Sequence, residues 1–491
     1  MSNRKGTDMD RRQFNRMMVG GALAALAPMG VVRAAEGMGR KRPNILIIMG
    51  DDATYSELPL YGGVNVKTPK IDKLASQGMV FNRAFVTMSM CQPCRAELHT
   101  GQQPGRNGCC WNHSPVRPGT RSTVHYLSEL GYRVGLAGKV HLQPRRAFPF
   151  EMVKGLDDNC VKPSPEFSVG GLREFMARDK EEPFCLVAAL VASHVPWTEG
   201  EPEHFPVESQ KLPPYFADTE ATRRDYAKYL AEIEVLDEQV GEILATLEEV
   251  GAAEDTLVLF TSEQGAQWPG AKWTNWQEGV HTGMIVRWPG RVKAGVRTDA
   301  MVQYADYLPM LIEAAGGTVD EKAFDGRSFL EVLEGKRDTH RKYAYFMHNN
   351  VPEGPSYPIR SVTDGKYHYI RNLSPERIYI EKHMMGSMSE WHEYWPAWVF
   401  ATEADPHAYE VMERFVRRPA EQLYVMTNDR FEMENLADDP AYAEVKARLS
   451  AALDTWMEEQ GDPGAALDTH EVLEARWVEA RRWQSEWREE K

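Results

Sequence analysis

Residues 44–52 read Asn44-Ile45-Leu46-Ile47-Ile48-Met49-Gly50-Asp51-Asp52. The apolar run is short, rich in β-branched residues, and does not alternate with polar ones. A strand that is apolar at every position is covered on both faces, the habit of a buried parallel strand. Parallel neighbours cannot be joined by tight hairpins, so helices must carry the chain between them. The run stops at Gly50 and two carboxylates, Asp51 and Asp52. Open α/β sheets bind their ligands just past such carboxyl ends.

The chain beyond this stretch keeps the expected alternation. Thr68-Pro69 opens a helix through Leu74, with proline at the first helical position, and Gly78 stops it. Val80-Phe81 and Ala84–Val86 predict a further strand. Residues 122–130 read as a helix ended by Gly131; residues 132–137 form a strand leading into Gly138-Lys139-Val140-His141. Residues 184–191 form another strand, followed by Ser193-His194-Val195-Pro196. Apolar residues from Tyr226 to Leu247 recur at helical spacing over 219–249, and the acidic face around Glu232 and Glu234 is expected to be solvated. Thr256–Phe260 is the next strand. The pattern predicts an α/β fold: a large mixed, mostly parallel sheet sandwiched by helices. From about Met301 the segments shorten and aromatics increase. We read 36–340 as the catalytic domain and 341–491 as a smaller C-terminal α+β subdomain with a helical tail. Trp477, Trp483 and Trp487 predict an amphipathic tail helix packing on its own domain.

The 491 residues carry 57 Lys+Arg against 72 Asp+Glu, a net charge of −15. This acidic balance argues against a nucleic-acid partner but leaves room for a local basic pocket. With 42% hydrophobic residues, the composition is that of a globular chain, not a fibrous, disordered or disulfide-scaffold one. Six cysteines, with Cys109 and Cys110 adjacent, make no disulfide framework and no zinc spacing. Residues 1–35 combine Arg11-Arg12, an apolar run from Met17 to Val32, and small residues at Ala34-Ala35. That is a twin-arginine export signal, too short for a good membrane span. It predicts the Tat machinery as a partner, a periplasmic or secreted location, and no stable span after cleavage.

Hard oxygen donors gather at strand ends: Asp51 and Asp52, then Glu263 and Gln264. They suit Ca²⁺, with Mg²⁺ as the alternative. Arg95, Lys139, His141, His194 and Lys272 add cationic or protonatable groups. A divalent cation ringed by these suits a phosphate or sulfate ester, and these residues alone leave the choice open.

The segment Cys91-Gln-Pro-Cys-Arg-Ala-Glu-Leu-His-Thr-Gly101 resembles the type I sulfatase signature, Cys-x-Pro-x-Arg with a Leu-x-Thr-Gly tail. Arg42–Asp52, Thr68–Ala75, Gly138–Leu142, Ser193–Pro196, Phe324–Ser328, Leu423-Tyr424 and Glu434–Leu436 resemble further blocks of that family in order. The resemblance implies that a formylglycine-generating enzyme converts Cys91 to formylglycine, whose hydrate attacks sulfur beside a metal held by Asp51, Asp52, residue 91, Glu263 and Gln264. It implies that Arg95 and Lys139 steady the nucleophile. His194 and Lys272 would contact the sulfate and protonate the leaving atom, and His141 would take the proton that releases sulfate. Ser262-Glu263-Gln264-Gly265 departs from the family's Ser-Asp-Asn-Gly by one methylene at each ligand. Asn107-Gly108 followed by His113 resembles the N-sulfoglucosamine sulfohydrolase branch and implies that His113 contacts substrate. The implied substrate is a sulfated saccharide, with the N-sulfo amino sugar of a glycosaminoglycan-like chain favoured. A formylglycine-type phosphonate monoester or phosphodiester hydrolase, and a non-catalytic binder of sulfated glycans, are the alternatives.

Overall fold

The computed structural model describes residues 42–385 and 391–490. The export signal expected at 1–35 lies outside them. The opening run forms β1 (Asn44–Gly50), paired in parallel on one side with β6 (Phe184–Ala189) and on the other with β7 (Thr256–Ser262). Next to β6 come β4 (Arg133–Gly138) and the short β5 (Glu151–Val153). Beyond β7 lies β9 (Met284–Arg287), the single reversed strand of this sheet, then β2 (Met79–Phe81) and β10 (Val296–Thr298). The mixed, mostly parallel sheet is as the sequence predicts.

Both faces of β1 are covered. Leu46 and Ile48 join a core that includes Tyr226, Leu230, Ile233 and Val240 of the long helix Glu220–Glu249. Ile45, Ile47 and Met49 join the opposite core with Ala96 and Leu98 of the helix Cys91–Thr100 and with Leu308 and Leu311. Each fully buried Ile or Leu contributes about 1.5–3 kcal/mol relative to exposure. This explains why an uninterrupted apolar run is required here.

Three expectations need correction. The segment 80–86 is not one strand: after β2 the chain turns at Asn82-Arg83, where Asn82 N–H donates to Thr298 O at 2.9 Å. β3 (Ala84–Phe85) then joins β8 (His281–Thr282) and β11 (Val302–Gln303) in a separate small sheet. Glu232 is buried, not solvated, because its carboxylate accepts the N–H groups of Thr198 and Glu199 at 2.8 Å each. The tail helix His470–Glu490 does not pack on the C-terminal region alone. Gln484 and the carbonyl of Trp483 accept hydrogen bonds from Arg146, whose guanidinium lies over the Trp483 ring, just past the loop carrying His141.

The C-terminal region forms an antiparallel sheet in the order β12 (Ala344–His348), β13 (Ile359–Thr363), β14 (Tyr367–Asn372) and β15 (Glu421–Val425). Among the described residues no helix is long and apolar enough to cross a membrane. All six cysteines are free thiols.

Candidate active site

The register brings the ends of four strands level. Gly50 faces Ser262, Met49 faces Ala189, and Ala189 faces Gly138. Backbone hydrogen bonds continue the ladder past the strands. Asp51 N–H donates to Ala192 O (3.0 Å), Ser193 N–H to Asp51 O (2.9 Å), Glu263 N–H to Gly50 O (2.8 Å) and Lys139 N–H to Ala189 O (3.0 Å). Asp51, Asp52, Lys139, His194, Glu263 and Gln264 therefore leave the sheet together. Asp52 (φ 50°) and His141 (φ 39°) hold left-handed backbone, a strain that concentrates at functional sites.

Three carboxylates meet three fixed cations, all buried. Lys139 Nζ lies 2.5 Å from Asp51 Oδ2 and 3.8 Å from Glu263 Oε2. Arg95 pairs closely with Glu263 and stands 3.6 Å from Asp51 Oδ1. Lys272 Nζ reaches Asp52 Oδ2 at 2.6 Å. Burial alone would raise Glu263, but Arg95 and Lys139 overcome it and hold this carboxyl well below its ordinary range. Burial and the neighbouring Glu263 charge push Asp51 up. Three buried carboxylates crowded together repel one another, and nearby positive charge offsets that cost.

Cys91 opens the helix Cys91–Thr100 and points at the acidic pair, its Sγ 3.9 Å from Asp52 Oδ1. The helix N-terminus favours negative charge at this residue. Glu97, one helical turn and a half on, anchors the helix by accepting Thr87 N–H (2.8 Å) and Thr87 Oγ1–H (2.7 Å). His194 Nε2 stands 3.5 Å from Asp52 Oδ2. His141 Nε2 is 3.0 Å from His113 Nδ1, so the expected substrate histidine touches the expected base. Cys91, Arg95, Lys139, His194, Gln264 and Lys272 each lie against one or more of Asp51, Asp52 and Glu263, while His141 and His113 contact each other beside this cluster.

A family model described as Sulfatase matches residues 43–317, and one for the C-terminal part of N-sulphoglucosamine sulphohydrolase matches residues 270–380. An ulvan-active sulfatase of Formosa agariphila is 30% identical over 86% of this chain and 81% of its own. The chain belongs to the sulfatase family. It is also 26% identical to the N-sulphoglucosamine sulphohydrolase of Homo sapiens, over 87% of this chain and 92% of that one. A solved structure described as a complex with its substrate D-glucosamine-2-N,6-O-disulfate superposes with a TM-score of 0.66 at 20% identity, covering 86% of this chain and 99% of that one. The sulfatase is accordingly a sulfuric ester hydrolase.

The donor set of the sulfatase fits a hard divalent cation. One ligand atom each from Asp51, Asp52, Cys91 and Glu263 lies within 4.8 Å of the others. Asp51 Oδ1 is buried with no hydrogen-bond partner. Gln264 Nε2 stands 2.5 Å from Asp52 Oδ1, and turning that amide brings its oxygen to the same place. The longer Glu263 and Gln264 side chains still reach the centre.

Sequence reasoning missed two features. Cys160, from the loop after β5, groups with Asp51 and His194. Burial would raise its thiol, but Lys139 and His194 bring it down to about 6. Glu353, Lys382 and His383 of the C-terminal region stand beside His113. Neither carries a motif; both are placed by loops that only the fold brings in.

Proposed function

We propose that this sulfatase is an exported enzyme that hydrolyses a sulfate ester or sulfamate on a saccharide, an N-sulfo amino sugar being the favoured substrate. The named substrates of its relatives, and the match to the N-sulphoglucosamine sulphohydrolase C-terminal model, support the sugar class. The observation that carries the chemistry is the placement of Cys91 at a helix N-terminus within one cluster of three carboxylates. Arg11-Arg12 and the apolar run behind them support export, and the antiparallel sheet from β12 onward supports a boundary near 340.

A bound Ca²⁺ would be held by Asp51, Asp52, Glu263, Gln264 and residue 91, and would neutralise and polarise the ester. Formylglycine at residue 91 would supply, as its hydrate, a hydroxyl nucleophile with a second hydroxyl for release of sulfate. The surrounding residues have separable tasks. Arg95 and Lys139 hold the carboxylates that frame residue 91. Lys272, buried beside Asp52, is placed to bind a sulfate oxygen. Burial would lower His194, but Cys160 and Asp52 raise it, which suits a proton donor to the leaving atom. Burial, Lys139 and His113 keep His141 well below its ordinary value, so it is neutral and ready to accept a proton.

Mass spectrometry of the peptide around Cys91, from protein co-expressed with a formylglycine-generating enzyme, tests the nucleophile; a wholly unmodified yet active enzyme refutes it. Paired 4-nitrophenyl sulfate and phenyl phosphonate substrates test the reaction class, and faster phosphonate turnover would overturn the sulfatase chemistry in favour of a phosphonate hydrolase.

A further inference from the structure

Beyond the reaction centre, the C-terminal region places one acidic side chain beside His113. Glu353 follows β12 and is 1% exposed. Its Oε2 is taken by His383 Nε2 at 2.6 Å and Lys382 Nζ at 2.9 Å. Its Oε1 has no hydrogen-bond partner, while His113 Nε2 stands 3.8 Å away. A buried carboxylate oxygen left idle costs free energy, and native structures rarely leave one without a reason.

Two independent paths tie this oxygen to the chemistry. Along one, Glu353 faces His113, whose other nitrogen contacts His141 at 3.0 Å. Along the other, the His383 ring stacks on Trp273 (centroids 5.1 Å apart, 9° between planes), and the Lys272 ammonium lies over the same indole at 4.7 Å. The idle oxygen is therefore one side chain from the expected base and two from the expected sulfate ligand. His113, which stands over this buried oxygen, has a side chain 53% exposed, so one side chain separates the oxygen from solvent.

The support is rigid. Glu381 accepts the N–H groups of His383 (3.0 Å) and Met384 (2.9 Å), fixing the short helix Lys382–Met385. Lys382 N–H donates to Glu353 O at 2.9 Å. Asn350 joins the two loops through Pro355 O (2.7 Å) and Ile380 O (2.8 Å). Glu353, Glu381 and His383 could also be read as a second metal site. The Lys382 ammonium already fills the cation's place on Glu353, and Glu381 is spent on backbone N–H groups.

We propose that Glu353, held by Lys382 and His383, accepts hydrogen bonds from hydroxyl or amino N–H groups of the sugar ring that carries the sulfuryl group, and so sets the preference for saccharide over simple sulfate esters. This rests on the saccharide reading above. Burial would raise Glu353, but its contacts with His383 and Lys382 bring it down to about 2, so the group stays anionic and only accepts. It selects a donor and repels a second sulfate or a uronate carboxylate at that position.

The test compares kcat/KM for N-sulfoglucosamine and O-sulfated glucosamines with that for 4-nitrophenyl sulfate, in wild type and Glu353→Gln. A folding defect lowers both alike and leaves their ratio unchanged. The expected result is a fall in the saccharide-to-aryl ratio of about tenfold or more, with KM for the saccharide raised. A ratio within twofold of wild type overturns the inference and leaves the saccharide reading intact. A wild-type enzyme that turns over the aryl sulfate but no sulfated saccharide defeats that reading and this inference together. Should Glu353→Gln not fold, His383→Gln exchanges the imidazole donor for an amide and is measured in the same way: a fallen ratio supports the inference and an unchanged one overturns it.

Discussion

Burial pushes the Cys91 thiol up to about 11, the nearby Glu263 charge adding to the effect. A neutral thiol is a weak nucleophile and a weak ligand for a hard cation. The surroundings of residue 91 are therefore hostile to an ordinary cysteine and suited to an oxygen group at the same place. On the nucleophile role proposed for residue 91, Cys91→Ala should lower turnover of 4-nitrophenyl sulfate by at least about 10⁴-fold. Calorimetric Ca²⁺ affinity should fall far less, because three carboxylates remain; full retained activity would refute the assignment. Asp52→Ala should weaken Ca²⁺ binding and turnover together, about tenfold or more each, because it deletes a donor and strands the Lys272 ammonium. Unchanged metal affinity by calorimetry would remove Asp52 from the site. At this scale the sequence announced the residues that the fold brings together wherever they share one short segment, as at Asp51-Asp52, Cys91–Arg95 and Lys139–His141. It was silent at Glu353, which meets His113 only because two distant segments come together, and at Cys160, a lone thiol with no neighbouring pattern.

The strand ends explain why a site drawn from six segments is so compact. β1, β4, β6 and β7 stop at one level, and each then contributes polar side chains within a few residues. Gly138 is the pivot for Lys139 and His141. Its φ is +87°, and a Cβ there would lie 2.1 Å from Ala189 O. Gly138→Ala meets backbone strain of about 1–2 kcal/mol and a clash with a β6 carbonyl that has no freedom to move. Its expected outcome is a lower melting temperature in calorimetry and a loss of activity larger than the stability loss explains, because Lys139 and His141 are re-aimed. Wild-type kcat in the folded variant would show that the pivot is not needed. The strands themselves were legible from their apolar runs. The split between β2 and β3 was not, because Asn82-Arg83 is too short an interruption to announce a change of sheet. Nor was the burial of Glu232, since a carboxylate that captures two backbone N–H groups looks in sequence like any charge on a helix face.

The whole chain buries titratable groups of two kinds, and their balance sets a stability profile. Burial raises Glu57, Glu97 and Glu278 from 4.5 to about 7 and Glu232 and Glu381 to about 8. Groups raised on folding lend stability that is complete below 4.5 and is lost as pH rises through 7 to 8. Burial lowers His99, His281 and His348 from 6.5 to about 3. The unfolded chain binds protons at these rings below 6.5 and the folded chain does not, so their contribution is lost as pH falls from 6.5 towards 3. Between about 4.5 and 6.5 the two sets oppose each other and nearly cancel. Above 6.5 the five carboxylates outweigh the one opposing group, the Cys160 thiol brought down to about 6, and stability declines; below 4.5 the histidines dominate, and it declines again. Asp306 steepens the acid side: burial opposes it, but Arg341 and His340 hold this carboxyl well below its ordinary value, and protonating it breaks that pair. Scanning calorimetry from pH 4 to 9 should therefore show a plateau near pH 5–6 and a melting temperature lower by a few degrees at pH 8, each kcal/mol being worth about 2 °C or less in so long a chain. A melting temperature that climbs steadily to pH 9 would mean that these five buried glutamates are ionised in the folded protein. The Glu57→Gln variant localises the effect, because it should flatten the alkaline decline while leaving the acid limb in place.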